Sequence, residues 1–200
     1  MARIKSAVEI ALEKSEGIKA DKETLSVYTY KNEGKKRASD FLKADGMNAE
    51  DLKEAFKKYG QKELPWVREG FFSVCIANLG LPPEGDFAPK LARLSEAFQA
   101  VIKDKKNLTS LFKQLEQFFA QYIATQEQVT KTLEARFEPQ LRAHEQQLSM
   151  QMGTPVRLKP TQIPEFVNML KKNLAGLDAQ YQEVLGRAKA ELTRMFEESR

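Results

Sequence analysis

Cysteine, histidine and tryptophan each occur once in 200 residues, and glycine and proline contribute only ten and eight. With Cys75 alone, no intramolecular disulfide and no cysteine zinc cluster can form. His144 is equally solitary, which removes histidine-rich metal sites. A chain free of disulfides suits a reducing compartment, so the expected location is cytoplasmic. No stretch approaches the roughly 18 continuous apolar residues of a membrane span. The opening run, MARIKSAVEIALEKSEG, is interrupted by Glu9 and Glu13 and is not a signal peptide. Charge of one sign is also lacking. Thirty-two basic residues nearly balance 28 acidic ones, and the net charge of +4 shows no concentrated basic face.

Motifs of catalysis are missing too. The Gly34-Lys35-Lys36-Arg37 cluster lacks the upstream glycine and the following Ser/Thr of a phosphate-binding loop. No carboxylate pair, metal-ligand cluster or nucleophile–base arrangement stands out, so the chain reads as a non-enzyme without cofactor or metal. Cys75 lies in the most apolar segment, with Trp66, Val67, Phe71, Phe72, Val74, Ile76 and Leu79, and is expected in a core rather than in chemistry.

What the chain does have is helical pattern. Ala, Glu, Lys, Leu and Gln dominate its second half, which favours long helices. Ser6 and Glu9 form a capping-box pair ahead of an amphipathic stretch carrying Ile4, Val8, Ala11 and Leu12. An ordinary core helix explains it better than peripheral membrane contact by residues 4–14. The pattern over 22–44 is weakly helical, with Asn32-Glu33-Gly34 as an expected break. Asn48 caps a helix over 49–59, with Glu50 and Asp51 in its first turn and Gly60 as its stop. Pro65 starts the apolar helix. Pro82-Pro83 then mark the boundary between a helical domain at 1–84 and a second region at 85–200.

In that region a helix over 87–105 is followed by a segment, 107–152, that reads as one helix roughly 67 Å long at about 1.5 Å per residue. Its apolar stripe is broad from Leu108 to Ile123. It then narrows to Gln126, Val129, Leu133, Phe137, Leu141, His144 and Leu148. The 162–199 segment carries a matching seam: Ile163, Val167, Leu170, Leu174, Leu177, Tyr181, Val184, Ala188, Leu192 and Met195. Gly153, Pro155 and Pro160 mark the turn between them. The expectation is an all-α chain: a three-helix base from which an antiparallel coiled-coil arm projects, made of 107–152 and 162–199. With a symmetric turn, facing residues would have numbers adding to about 314, given equal rise per residue. That pairs Leu148 with Phe166, Phe137 with Leu177, Leu133 with Tyr181 and Phe119 with Met195. Pro139 is expected to bend the first helix, with Ala175-Gly176 opposite it.

The arm points to an interaction or scaffold protein that binds a protein partner, or a second copy of itself. At its tip Met150, Met152, Val156, Leu158 and Ile163 stand beside Arg157 and Lys159. These are adaptable apolar groups rimmed by charge. The alternative is a nucleic-acid-associated protein that uses Lys35, Lys36 and Arg37 with Lys103, Lys105 and Lys106.

Overall fold

The computed structural model describes residues 22–43, 47–83 and 86–200. The amphipathic stretch at 4–14 lies outside them. The described residues are all-α, without a strand. Their helices are α1 (Lys22–Leu42), α2 (Ala49–Lys57), α3 (Leu64–Asn78), α4 (Ala88–Val101), α5 (Lys105–Met152) and α6 (Pro164–Glu197), with a short 3-10 turn at Pro160–Gln162. Among them no helix is long and apolar enough to cross a membrane. The chain divides into two compact units. One is Met1–Asn78 with Glu96–Val101 and Arg200; the other is Leu79–Ser95 with Ile102–Ser199.

In the first unit, the expected break at Gly34 is absent, and α1 runs through it without interruption. The reason is tertiary. A Cβ on Gly34 would lie 2.0 Å from the Val67 carbonyl oxygen, and one on Gly70 would lie 1.9 Å from the Lys31 carbonyl oxygen. The two glycines let the backbones of α1 and α3 touch, and that contact outweighs the helix-weakening tendency of Gly34. Around the crossing Ala38, Phe41, Leu52, Phe56, Val67, Phe71 and Cys75 are buried. Phe71 meets Phe56 edge-on at 5.4 Å, and Phe72 meets Phe98 at 5.6 Å. Asn48 caps α2 as its sequence requires, its side chain accepting from the Glu50 and Asp51 amides at 2.9 and 2.8 Å.

In the second unit, α5 begins two residues before the expected position, because Asp104 caps it by accepting from the Asn107 amide at 3.0 Å. α5 continues through Pro139, which is exposed. It ends at Gly153, whose φ of 66° is the left-handed conformation that glycine adopts without strain. Leu108, Phe112, Leu115 and Phe119 of α5 and Leu185, Leu192, Met195 and Phe196 of α6 are buried. Ser199 closes this end, accepting from the Lys103 amide at 2.9 Å and donating to the Met195 carbonyl at 2.7 Å.

α5 and α6 run side by side in opposite directions, but not in the register expected. Phe137 packs on Phe166 at 5.6 Å between ring centroids, and Tyr181 sits 5.0 Å from Tyr122 and 4.9 Å from Phe118. The numbers of facing residues therefore add to about 303, about eleven fewer than a symmetric turn gives. Eleven residues are close to three helical turns, so the same faces meet in either register. The offset arises because the turn is asymmetric. After Gly153 the chain doubles back along α5 in extended form, which advances about 3.3 Å per residue against 1.5 Å for a helix. α6 thus starts level with the neighbourhood of Pro139 instead of the end of α5. Ala175-Gly176 are not opposite Pro139, and a Cβ on Gly176 would meet nothing within 4 Å. Two further seam positions differ. His144 and Val184 are exposed, and Leu185, 1% exposed, takes the buried place beside Val184.

Candidate interaction site

The end of α5 and the returning segment form the site. Two extended residues advance about 6.6 Å, and four helical residues about 6 Å. Side chains four apart on α5 can therefore meet alternate amides of a chain running back along it. Ser149 and Glu145 have this spacing. The Val156 amide donates to Ser149 Oγ at 2.8 Å, and the Leu158 amide donates to Glu145 Oε1 at 2.7 Å. The period of two then turns Val156 and Leu158 toward α5, half-buried, and leaves Arg157 and Lys159 exposed. The Lys159 amide donates to Gln162 Oε1 at 2.7 Å, and the Gln162 amide returns a bond to the Lys159 carbonyl at 2.9 Å.

Met150 and Met152, in the last turn of α5, are 85% and 66% exposed. They are the most exposed large apolar side chains among the described residues. An open groove of about 480 Å³ lies along this end, lined by Arg142, Glu145, Gln146, Ser149, Met150 and Val156. Arg142 is itself bonded to Glu138 one turn back.

The structure thus gathers six of the seven tip residues, Met150, Met152, Val156, Arg157, Leu158 and Lys159, around one end of the helix pair. Ile163 is not among them. It is 3% exposed and belongs to a small core with Leu133, Phe137 and Phe166. The shift in register places it there. Glu145 and Ser149, which anchor the returning segment, were not singled out from the sequence. Their spacing of four was the available signal, but it has meaning only once the following segment is known to be extended.

Farther along the same pair lies a polar layer. Tyr122 donates to Asp178 Oδ1 at 2.6 Å and accepts from Gln126 Nε2 at 2.7 Å. Burial, then the bond to Asp178, pushes the Tyr122 hydroxyl up to about 12.

The basic clusters are differently disposed. Lys35 and Lys36 are exposed on α1, whereas Arg37 is half-buried and donates from Nε to the Tyr59 hydroxyl at 3.2 Å. Tyr59 in turn donates to Glu33 at 2.8 Å, and burial raises its pKa. Arg37 is thereby held within its unit by neighbouring side chains. Lys103, Lys105 and Lys106 are exposed at the start of α5, in the other unit. Cys75 is fully buried, and desolvation pushes its thiol well above the usual range.

A family of unknown function (DUF6657) matches residues 53–194. No curated protein and no solved structure matches the chain.

Proposed function

The chain belongs to that family, and we propose that it is a non-enzymatic interaction protein whose α5–α6 pair acts as an antiparallel coiled-coil arm, engaging a protein partner through the tip. The exposure of Met150 and Met152 beside an open groove carries this reading. A methionine pair left 85% and 66% exposed next to two half-buried apolar residues is unfavourable in water and useful at an interface. The burial of Cys75 supports the non-enzymatic part, because a desolvated thiol held in its protonated form is a poor nucleophile.

The test compares the full chain with Met150→Asp/Met152→Asp. Both side chains are exposed, so helicity by circular dichroism and Tm should be unchanged. The variant should lose the proteins that co-purify with the natural sequence, or lose self-association in sedimentation. An identical set of co-purifying proteins and an identical sedimentation profile would overturn the reading.

A further inference from the structure

We propose that two copies of the chain form a two-fold dimer through one flank of the α5–α6 pair, with α6 of one copy running antiparallel to α6 of the other. This goes beyond the reading of the tip and rests on a different part of the pair.

The two flanks of the pair differ in charge. A helix turns by about 100° per residue, so side chains three, four and seven apart share a side. One flank of α5 carries Glu127, Lys131, Glu134, Glu138 and Arg142, with in-helix ion pairs between Lys131 and Glu127 at 3.7 Å and between Arg142 and Glu138. The other flank is marked by an open groove of about 230 Å³, lined by Gln128, Val129, Thr132, Leu133, Arg136 and Asn173. Heptad steps back from Gln128 and Thr132 reach Gln121, Gln114 and Thr125, all uncharged, and the same step from Asn173 on α6 reaches Gln180. Several polar groups of this flank already have partners. Thr125 Oγ1 donates to the Gln121 carbonyl at 2.7 Å, and Gln128 Nε2 donates to Thr132 Oγ1 at 3.3 Å. Covering them costs less than stripping water from the carboxylates of the charged flank.

Along this flank, shape and charge are self-complementary. Val184 is 47% exposed and lies eleven residues from Asn173 at the groove. Eleven residues are close to three turns, so the two share a side of α6. Lys172 and Glu183 have the same separation and share the adjoining edge. Lys172 is exposed and has no ion-pair partner among the described residues, and Glu183 is paired with the exposed Arg187 at 2.7 Å. Consider two reversed α6 helices whose facing residues have numbers adding to about 356. Val184 of each copy then enters the groove beside Asn173 of the other, and Glu183 of each meets Lys172 of the other. One axis serves both contacts, as an interface between identical surfaces requires.

That axis passes near Thr125. Arg136, the one charge lining the groove, then lies about 33 Å from its symmetry mate, so these like charges do not meet. The shared flank is about 33 Å long and, two helices wide, about 20 Å across. Its flat footprint of about 660 Å², enlarged by the relief of the side chains, approaches the roughly 800 Å² per partner that stable complexes bury. A second copy is the occupant that fits, because projection, groove, anion and cation recur on one surface at matched spacing.

Sedimentation equilibrium of the full chain, at about 1–100 μM, reads the dimer directly. A species of twice 22.8 kDa is expected. Val184→Glu, at an exposed site, should weaken it by at least about tenfold with helicity retained. Lys172→Glu and Glu183→Lys should each weaken it by about three- to tenfold, and the double variant Lys172→Glu/Glu183→Lys should recover most of the loss. A monomer throughout, a dimer indifferent to Val184→Glu, or a double variant no tighter than the single ones overturns the proposal. The reading of the tip is judged separately, since Met150→Asp/Met152→Asp should leave this dimer intact. If that variant abolishes the dimer and Val184→Glu does not, self-association belongs to the tip and not to the flank.

Discussion

The α1–α3 crossing and the α5–α6 pair solve the problem of helix packing in opposite ways. At the crossing two glycines bring backbone against backbone, and a shift along either helix would put a Cβ where Gly34 or Gly70 now leaves room. Along the pair, large side chains repeat at helical spacing, and a slide of about three turns brings similar faces together again. Close backbone packing thus specifies a single geometry. A repetitive apolar seam supplies stability but leaves the register to be chosen by something else. Two features of α5–α6 make that choice. The bond from Tyr122 to Asp178 crosses the pair and forms in the observed register, while Gln126 supports Tyr122 from within α5. The returning segment is bonded to Ser149 and Glu145, which fixes the length of chain spent before α6 begins. A polar contact inside an apolar seam is a well-attested way to select one register.

The sharpest way to break this contrast is Gly70→Leu. Even the first carbon of the new side chain would lie 1.9 Å from the Lys31 carbonyl oxygen, and backbone cannot yield as a flexible side chain does. A loss of about 4 kcal/mol or more in urea unfolding is expected, enough to disrupt the first unit. Near-wild-type stability would mean that the close crossing is not what holds α1 to α3.

The polar layer is expected to carry less. Tyr122→Phe and Asp178→Leu should each cost about 1–2 kcal/mol, because each removes a hydrogen bond to a charged group and leaves its part-buried partner short of one. The double variant should cost less than the sum, since both partners are then gone. The pH dependence offers a second reading of the same layer. The folded state holds Tyr122 neutral up to about 12, whereas an unfolded tyrosine ionises near 10. The folded pKa is raised, so this contribution to stability is present below pH 10 and is lost as pH rises toward 12. Tyr122→Phe should remove that part of the alkaline loss. An additive double variant with an unchanged alkaline profile would show that Tyr122 and Asp178 do not act as a pair.

The smallest effect is a gain. A Cβ on Gly176 meets nothing, and the residue lies inside α6. Gly176→Ala should therefore stabilise the chain by about 0.5–1 kcal/mol through helix propensity alone. The contrast between Gly70→Leu and Gly176→Ala separates a glycine required by its neighbours from one that is merely tolerated. Destabilisation by Gly176→Ala would point to a contact at that position.

Helices were legible in the sequence wherever local chemistry is sufficient. Asn48 with Glu50 and Asp51, Pro65, Gly153 and Pro164 mark helix ends through capping, a proline at the first turn or left-handed backbone, all decided within a few residues. Burial of Leu133 and Phe137 followed from periodicity and that of Phe71 from its apolar segment, whereas Phe166, off the expected seam, is buried as well. Gly34 was misleading, because a helix-weakening residue and a close-packing residue look alike until the partner helix is known. The candidate site was legible in part for a related reason. Met150, Met152, Arg157 and Lys159 are exposed by the local run of the chain. Ile163 is buried, because the place at which α6 joins α5 depends on the conformation of the eleven residues between Met152 and Pro164.

Sequence alone determined that this chain is helical, where most of its helices stop, and which face of each is apolar. Those properties follow from spacing, capping and composition, which act over a few residues. Tertiary structure decided the register of α5 against α6, the role of Gly34 and Gly70, and the company kept by the tip. A helical repeat is nearly blind to displacements of whole turns, and only contacts between residues distant in the chain can tell one displacement from the next.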